Sequence, residues 1–480
     1  MNSLLDGQTL LFSFVLINAL ACLLLKCLQS VLIRQRATKD ADVASMRNYV
    51  RGQIDDRPFF SVHVPTHNEP PEIVIATLEH LAGLNWHRYE VIVVDNNTQD
   101  PKLWRPVETA CARLGPRFRF YHRENVQGAK AGALNIAAEL TAVEATHFAI
   151  VDADYQVTPD FLSAAAQALE QTRADFVQFP QAYRDQSRAP IVAMELADYF
   201  LNVAHHTNRA QAMLLTGTLS VISRAAFNAV GGWSRSTITE DAELGVRLLL
   251  GHYRGVYVPK TVGRGMLPLD FSGLAKQRDR WVAGNMQTLI GAIKAGILPV
   301  HKPALAIWSQ LTAWVSLGII PAFALLILAF FPSSHFLSAS TATLAGLTIL
   351  LSISSLPFSW RFSDTKQHLG FLNWLRVCRV KIALLWTSSS AWLPVLFGTE
   401  LTFQRTPKSV QATAGFFLPW VALTSAIFGL VCIIYFIDGQ IIAGISSLIL
   451  ASSWFAARSV DQELCGIHQA GHEGERVCGA

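Results

Sequence analysis

Charged residues are scarce in this sequence. Asp, Glu, Lys and Arg make up 15% of its 480 residues, whereas hydrophobic residues make up 51%. This balance is too apolar for a typical soluble protein and predicts membrane-spanning segments. The net charge is only +4, which gives no support for a nucleic-acid partner. The seven cysteines lack the dense, regular spacing of a disulfide-stapled secreted domain, so we expect a reduced soluble part that faces the cytoplasm.

Long stretches without Asp, Glu, Lys or Arg locate the predicted spans, because one such residue at the bilayer centre costs about 2.5 to 3.5 kcal/mol on insertion scales. Residues 7–25 form the first such stretch. Residues 303–360 are long enough for two spans of ~20 residues, with a turn near Pro332. Residues 409–437 and 439–457 give two more. The sequence therefore predicts five spans.

The distribution of basic residues orients these spans. The segment before the first span, MNSLLD, has no positive charge, and no small-residue cleavage site follows, so we expect an anchor and not a cleavable signal peptide. Basic residues after position 26 place that side in the cytoplasm. Residues 382–399 also lack charge, but a span there would export the basic loop that holds Arg405 and Lys408. We therefore predict an interfacial or re-entrant segment, an N-terminus outside and a C-terminal tail inside.

Residues 55–268 form a separate predicted domain. Short β-rich runs alternate with helical patterns there, which favours a mostly parallel sheet covered by helices. The predicted strands are 59–65, 89–95, 117–122, 147–152 and 175–180. The predicted helices lie near 72–84, 128–141, 159–172 and 241–250.

Polar residues follow three of the predicted strands. The first strand ends in PTHNEP, the second in Asp95 and the fourth in Asp152. Ligands of open α/β sheets bind beyond the carboxyl ends of the strands, so these residues are expected to meet at one edge. A single aspartate could equally cap the next helix, but three polar strand ends together favour a binding site.

Asp152 and Asp154 are two residues apart, so both side chains can point into this edge if the extended conformation continues. Two clustered carboxylates need a cation. Mg²⁺ prefers oxygen ligands and is commonly bound together with substrate phosphates. The pair therefore suggests Mg²⁺, or Mn²⁺, bridging the protein and a diphosphate.

Together these motifs resemble the membrane-embedded, processive, inverting glycosyltransferases of family 2, typified by cellulose synthase. Asp95 after VIVV, the DAD at 152–154, the TED at 239–241 and the QRDRW at 277–281 occur in the family's order. The resemblance covers roughly residues 55–290 and extends more weakly to FQRTPK. The phrases DNNTQDPKLWRPVE, QGAKAGALN and GGWSRSTITED look more like bacterial β-1,3- or β-1,2-glucan synthases.

The resemblance implies an α/β GT-A-like cytosolic domain inserted between transmembrane α-helices of a polytopic inner-membrane protein. The implied segments are an N-terminal transmembrane anchor (1–33), the cytosolic GT-A domain (55–268), interfacial amphipathic helices with the QRDRW motif (269–300), a transmembrane hairpin (303–360), an interfacial or re-entrant segment with a gating-like loop (361–410), a second hairpin (411–457) and a polar cytoplasmic tail (458–480).

The resemblance also implies a nucleotide-sugar site. Asp95 and Glu69 would hold the uridine and ribose, although Asn96 follows where the family has a second acid. Lys130 would place a cation near the diphosphate at a helix N-terminus, whereas on its own it could be a solvated surface lysine. The residues implied for nucleotide-sugar binding are Thr66, Asn68, Glu69, Asp95, Lys130, Asp152, Gln277 and Arg280, and the metal ligands are Asp154 and Asp152.

Asp241 is the candidate general base, with Glu240 beside it in the catalytic TED motif. It opens a predicted helix, where the helix dipole and free amides favour the ionised form that a base requires. Without the resemblance, Asp241 would be interpreted as an ordinary acid in a first helical turn. An inverting transfer needs one displacement, in which the acceptor hydroxyl attacks from the face opposite the leaving diphosphate.

The acceptor side rests on two motifs. Gln277, Arg280 and Trp281 share one helix face, where Trp281 can stack on a sugar and Arg280 can neutralise the diphosphate. The same residues could instead anchor a helix at the membrane interface. The family also lines its acceptor site at the positions of Thr216, Gly217 and Thr218.

Two C-terminal features are less specific. Phe403, Thr406 and Lys408 resemble the gating loop of processive members, although Arg405 stands where the family has valine. Four residues of the tail could reach one zinc ion, but their spacing is not that of a standard finger, and a disordered polar tail is the preferred interpretation. These residues are Cys465, His468, His472 and Cys478.

The functional expectation is a processive hexosyltransferase that moves glucose from UDP-glucose to a growing β-glucan and exports the polymer through its own channel. A β-1,3 linkage is favoured over β-1,4 and β-1,2. The expected partners are the UDP-sugar, the glucan acceptor and the lipid bilayer; neither an oligomeric state nor an export partner is predicted. Two alternatives stay open: an enzyme that adds one sugar to a lipid or oligosaccharide, and a non-catalytic sugar-binding or transport protein that would not need Asp241.

Overall fold

The structure is a computed structural model. It describes residues 2–34, 58–208, 212–296, 302–331, 336–353, 371–399 and 417–477.

A seven-stranded mixed sheet forms the centre of the domain between the membrane helices. Its order is β3-β2-β1-β4-β7-β6-β8, and β5 and β9 form a separate two-stranded sheet. The strands are β1 (Phe60–Thr66), β2 (Tyr89–Asn96), β3 (Phe118–Arg123), β4 (His147–Ile150), β5 (Gln156–Val157), β6 (Phe176–Gln178), β7 (Ser220–Ser223), β8 (Gly255–Tyr257) and β9 (Gly263–Arg264). β1 pairs in parallel with β2 and β4, while β7 runs antiparallel between β4 and β6. All five predicted strands are present; β5, β7, β8 and β9 were not predicted.

Strand β2 is hydrophobic on both faces, as is typical of a parallel strand between helical layers. Val91 and Val93 of β2 pack into a large core cluster on one side of the sheet. Ile92 and Val94 point to the other side, where Ala133 and other residues of a helix cover them. The alternation has the two-residue period of a strand. The run VIVV therefore contributes side chains to two separate cores, one on each face of the sheet.

Helices cover both faces of this sheet. They are α2 (Pro71–Ala82), α3 (Pro101–Leu114), α4 (Ala129–Leu140), α5 (Phe161–Thr172), α6 (Pro190–Asp198), α7 (His205–Thr207), α8 (Arg224–Ala229) and α9 (Glu240–Leu250). The four predicted helices are present, but α3 was missed because Pro106 interrupts its pattern. Its start signal was available: Asp100 accepts a hydrogen bond from the Lys102 amide at 2.9 Å, and proline follows at the first helical position.

One helix carries the QRDRW motif. It is α10 (Phe271–Lys294), a single helix where the prediction for 269–300 allowed several. Asp270 caps it by accepting a hydrogen bond from the Gly273 amide at 2.6 Å. A six-residue π-helical turn, Tyr199–Ala204, continues α6 toward the same region. Such turns are rare and occur often at functional sites.

Outside this domain, the described residues form ten further helices. They are α1 (Asn2–Arg34), α11 (Lys302–Leu311), α12 (Ile319–Phe330), α13 (Phe336–Ile353), α14 (Phe371–Ala383), α15 (Leu385–Ser390), α16 (Leu393–Leu396), α17 (Phe417–Ile437), α18 (Ile441–Ala451) and α19 (Ser453–Val477). Three segments of the described chain are helical, long and apolar enough to cross a membrane: Gly7–Cys27, Pro419–Ile437 and Ile441–Gly466.

Residues 303–360 were predicted to form two spans of ~20 residues each, but their described part forms three shorter helices. The three helices are α11, α12 and α13, and the apolar helices Ile319–Phe330 and Leu337–Ile353 are shorter than ~20 residues. Thr312 and Ser316 are buried in the break after α11. Residues 382–399, where no continuous span was expected, are divided among the end of α14 and the short helices α15 and α16.

The expectation of a disordered tail is wrong for residues 458–477, because α19 extends through them. Its acidic side chains cap two other helices. Asp461 Oδ1 accepts a hydrogen bond from the Phe271 amide at 2.9 Å, and Glu463 Oε1 accepts one from the Ile191 amide at 2.9 Å. Free amides at helix N-termini need such acceptors. Cys478 of the zinc hypothesis lies outside the described residues.

Removing either cap should weaken the attachment of α19 to the domain. Asp461→Ala and Glu463→Ala are each expected to lower the free energy of unfolding by about 1 kcal/mol, the usual effect of losing a helix cap. The check is thermal melting of the purified protein in detergent. Gln462→Ala is the matched control, since Gln462 is exposed on the same helix. Equal melting temperatures for all three variants would contradict this role.

Candidate active site

A cleft of about 480 Å³ opens beyond the carboxyl ends of β1, β2 and β4. Residues from the strand ends, the start of α9 and one face of α10 line it together. The predicted site residues among them are Thr66, Glu69, Lys130, Asp152, Asp154, Thr216, Gly217, Glu240, Asp241, Gln277, Arg280 and Trp281. Asn68, Asp95 and Thr218 do not line it, and Phe403, Thr406 and Lys408 lie outside the described residues.

Asp95 was expected in the nucleotide-sugar site, but it does not line the cleft. Its residue is only 3% exposed. One carboxylate oxygen accepts hydrogen bonds from Thr66 Oγ1 at 3.0 Å and Thr98 Oγ1 at 2.8 Å, and the other lies 2.9 Å from His122 Nδ1. The carboxylate therefore ties the ends of β1, β2 and β3 together behind the cleft wall. The neighbouring Asn97 lines the cleft instead.

Asn68 and Thr218 also have supporting positions. The Asn68 amide donates to Thr98 Oγ1 at 2.8 Å, in a backbone conformation with φ of 49°. Thr218 is 1% exposed, and its Oγ1 accepts a hydrogen bond from the Asp152 amide at 3.0 Å. Thr218 thus holds the backbone of a cleft residue.

Lys130 is enclosed by acidic and carbonyl groups. Its Nζ donates to Asp152 Oδ1 at 2.6 Å and to the Gly217 carbonyl at 2.8 Å, and Glu240 Oε1 lies 3.7 Å away. Burial lowers the pKa of Lys130, but the Asp152 and Glu240 carboxylates raise it by more. Lys130 is therefore a fixed positive charge inside the cleft and not a solvated surface lysine.

Asp152 and Asp154 share the cleft, but a turn after β4 brings them there, not a continued strand. The Asp152 side chain is 32% exposed, and Asp154 Oδ2 accepts a hydrogen bond from the Met266 amide at 3.2 Å. Within the described residues no three His, Cys, Asp or Glu side chains form a metal cage. Two carboxylates still fit Mg²⁺ or Mn²⁺, because such ions take remaining ligands from water and substrate phosphates.

Asp241 lies in the first turn of α9, directly after Glu240. Burial, and next the Glu240 carboxylate, raise its pKa to about 7, against the opposing effect of Lys130 and of the helix amides. The helix amides favour the ionised form, as expected, but their effect is smaller than that of burial. Desolvation outweighs the dipole because the group is enclosed.

The face of α10 has the predicted composition. Gln277, Arg280 and Trp281 all line the cleft. Burial lowers the pKa of Arg280, and the carboxylates of Glu240 and Asp152 act in the opposite direction. The face is thus turned toward the acidic groups of the domain.

Sequence reasoning missed a smaller cavity of about 60 Å³ beside the cleft. Asp241 and Trp281 line both the cleft and this cavity, whereas Tyr199 and Trp314 line the cavity and not the cleft. Reasoning from the sequence also missed Arg278, which is buried behind these rings. The available signals were an arginine inside QRDRW and the tryptophan in AWVSLG after α11.

Comparison with known proteins identifies this part of the chain. Residues 61–231 match the family model Glycosyl transferase family 2, and residues 147–356 match Glycosyl transferase family group 2. The chain is 30% identical over 242 residues to the Probable glucomannan 4-beta-mannosyltransferase 9 of Oryza sativa subsp. japonica, covering 47% of this chain and 45% of that protein. It is 30% identical over 243 residues to the Glucomannan 4-beta-mannosyltransferase 2 of Arabidopsis thaliana, covering 47% and 44%.

The chain thus spans about half the length of the curated relatives it matches. Among solved structures, it resembles the mannosyltransferase PcManGT from Pyrobaculum calidifontis in complex with GDP-Man and Mn²⁺, with a TM-score of 0.50 and 21% identity. That match covers 78% of this chain and 99% of the other. With 21% identity, this match establishes the GT-A-like fold and nothing further.

Gly217 is a test of how tightly the site is packed. Its φ is +84°, and a Cβ there would lie 3.0 Å from Asp241 Oδ2. Gly217→Ala should add this contact to the ~1–2 kcal/mol strain of a left-handed alanine. Gly231→Ala is the control, since Gly231 has φ of +85° and open space around it. Chemical denaturation should show a larger loss for Gly217→Ala by about 1 kcal/mol; equal losses would mean that Asp241 moves freely.

Proposed function

We propose that this family 2 glycosyltransferase moves a hexose from a nucleoside-diphosphate sugar to the end of a β-linked polysaccharide, by a single inverting displacement. One observation carries the proposal: the half-buried carboxyl of Asp241 lines the same cleft as Asp152, Asp154 and Trp281. Such a transfer needs a base, a carboxylate pair for a divalent cation and a flat ring for a sugar. The cleft contains all three types of group.

The donor would bind with its diphosphate near the strand ends. Mg²⁺ or Mn²⁺ held by Asp152 and Asp154 would supply positive charge to that diphosphate. The chain adds two cations of its own, Lys130 and Arg280, which line the same cleft. Positive groups that are already in place stabilise the charge that develops on a leaving group.

The acceptor would enter from the side of Trp281. This ring and Asp241 line both the cleft and the smaller cavity, so a sugar stacked on Trp281 would present a hydroxyl toward Asp241. Asp241 would take the hydroxyl proton as the oxygen bonds to the anomeric carbon and the bond to the diphosphate breaks. The smaller cavity continues to Leu311 and Trp314 at and just after the end of α11, which supports an acceptor path toward the apolar helices.

UDP-glucose and a β-1,3-linked glucan are the donor and product that we propose first, on the motif phrases that resemble bacterial glucan synthases. GDP-mannose is the second candidate, favoured by the mannosyltransferase names of the relatives and by the GDP-Man in the complex of similar fold. We further propose an inner-membrane location with the cleft in the cytoplasm, supported by the three candidate spans.

The test is product analysis with purified protein in lipid. Each radiolabelled donor is supplied in turn with Mg²⁺ or Mn²⁺, and product length and linkage are determined. A long β-linked polymer is expected, and Asp241→Asn should reduce its synthesis by about 10²–10⁴-fold. Asp279→Asn is the control, since Asp279 is exposed in the same QRDRW motif. Products that carry one added sugar would favour the non-processive alternative. If the parent protein binds the donor but transfers no sugar, the proposal that it is an enzyme is wrong.

The rate should also depend on pH through Asp241. A general base acts when it is ionised, and the pKa of Asp241 is raised to about 7. Single-turnover rates should therefore rise about tenfold from pH 6 to pH 8 and then level off. Asp279→Asn should keep the same profile. A rate that is constant from pH 5 to pH 8 would show that Asp241 titrates at the ordinary value of an aspartate or is not the base.

A further inference from the structure

Arg278 is a buried cation that does not touch the cleft. The residue is 1% exposed, and its side chain forms a two-pronged ion pair with Glu195 of α6. Arg278 Nε donates to Glu195 Oε1 at 3.1 Å, and Nη2 donates to Oε2 at 2.5 Å. A paired geometry of this kind fixes the plane of the guanidinium as well as its position. It also joins α6 to α10.

The same guanidinium contacts aromatic groups of the smaller cavity. Its Cζ lies 4.1 Å from the centre of the Trp281 ring and 4.8 Å from that of Trp314. The two ring centres are 5.1 Å apart at an angle of 55°. Trp314 stacks in turn on Tyr199, with centres 5.2 Å apart. Cations attract the faces of such rings, so the guanidinium and the three rings form one packed unit.

Arg278 also contacts a second residue of the cleft. Its Nη1 donates to Gln277 Oε1 at 2.7 Å, and Gln277 lines the cleft. One buried group therefore contacts two cleft residues, Gln277 and Trp281. The next arginine of the motif, Arg280, lines the cleft itself, so a direct charge on the diphosphate is available without Arg278.

The energetics favour a role in orientation over one in stability. Burial lowers the pKa of Arg278, but Glu195 raises it by more, so the pair is charged. Buried ion pairs add little net stability, because the loss of hydration offsets their attraction, and apolar residues of similar volume can often replace them. Glu195 and Arg278 are nevertheless both enclosed between helices that carry aromatic groups of the site.

We propose that Arg278, held by Glu195, is a positioning residue for the transfer proposed above: it fixes the ring plane of Trp281 and the amide of Gln277 together, so that the acceptor hydroxyl is presented to Asp241 at the correct angle. The role rests on the proposed function. Without the guanidinium, the Trp281 ring can rotate into the adjoining cavity of about 60 Å³. Donor binding would continue, and alignment of the acceptor would be lost.

The decisive variant replaces both partners, Glu195→Met with Arg278→Met, which keeps the volume and leaves no unpaired charge. The expected result is a melting temperature close to that of the parent and a dissociation constant for UDP or GDP with Mn²⁺ within about twofold. The acceptor KM should rise and kcat/KM should fall at least tenfold, with a larger share of donor hydrolysed to free sugar. Parent kinetics in this folded variant would overturn the proposal.

A matched control is the pair of Glu90 and Arg119, which lies at the amino ends of the strands and away from the cleft. Its double methionine variant should keep the parent acceptor KM. Where the Glu195 and Arg278 double variant does not fold, Glu195→Gln decides in the same assays, because it keeps the shape and removes the charge. An unchanged acceptor KM and hydrolysis ratio in Glu195→Gln would overturn the proposal.

A spectroscopic readout separates this proposal from the proposed function. Fluorine NMR of protein labelled with 5-fluorotryptophan, with the Trp281 signal assigned by Trp281→Phe, should give one sharp resonance in the parent. The signal should broaden or split in the double methionine variant. Absence of sugar transfer in the parent would refute the proposed function, whereas an unchanged Trp281 resonance in the variant would refute the positioning role.

Discussion

The balance of charge in the buried edge of the cleft is the constraint on which the site depends. Asp152, Glu240 and Asp241 approach one another at the inner edge of the cleft, and Lys130 lies among them. Arg280 and Asp154 line the same cleft, so these groups comprise two cations and four carboxylates. Burial, and next the Glu240 carboxylate, raise the pKa of Asp241. A surplus of carboxylate repels a bare diphosphate and attracts a divalent cation. Binding of the cation and of an anionic donor should therefore reinforce each other.

A buried glutamine holds the loop that connects the two sides of this edge. Gln178, in β6, accepts a hydrogen bond from the Thr216 amide at 2.9 Å and donates one to the Thr218 carbonyl at 2.8 Å. Thr218 in turn holds the backbone of Asp152, and Gly217 lies against Asp241. The donor side and the base are thus fixed to the same three-residue loop. The antiparallel strand β7 follows that loop directly, which explains why the domain departs from a purely parallel sheet here.

Local patterns in the sequence predicted the parts of the site that local structure determines. The runs before Asp95 and Asp152 have the composition of buried strands, and the spacing of Gln277, Arg280 and Trp281 follows the helical period, so their common edge could be foreseen.

Side-chain direction at the strand ends could not be foreseen, because tertiary contacts decide it. Asp95 turns toward His122 of β3, and Asp241 is desolvated by residues distant in sequence. The partnership of Arg278 with Glu195 joins positions 83 residues apart, and no pattern within either helix indicates it.

The contacts of α19 tie the site to the apolar helices. The candidate span Ile441–Gly466 contains Asp461 and Glu463, which cap the N-termini of α10 and α6. The ion pair between Arg278 and Glu195 joins these same two helices further along. Two helices fixed at both points can change their separation only if a cap or the ion pair breaks. A displacement of α19 along its axis would stretch the hydrogen bonds of both caps together, because Asp461 and Glu463 lie within one turn of the same helix. The width of the smaller cavity is therefore set both by the domain and by the last apolar helix. A domain separated from residues 441–477 would keep the ion pair between Arg278 and Glu195 but would lose both caps.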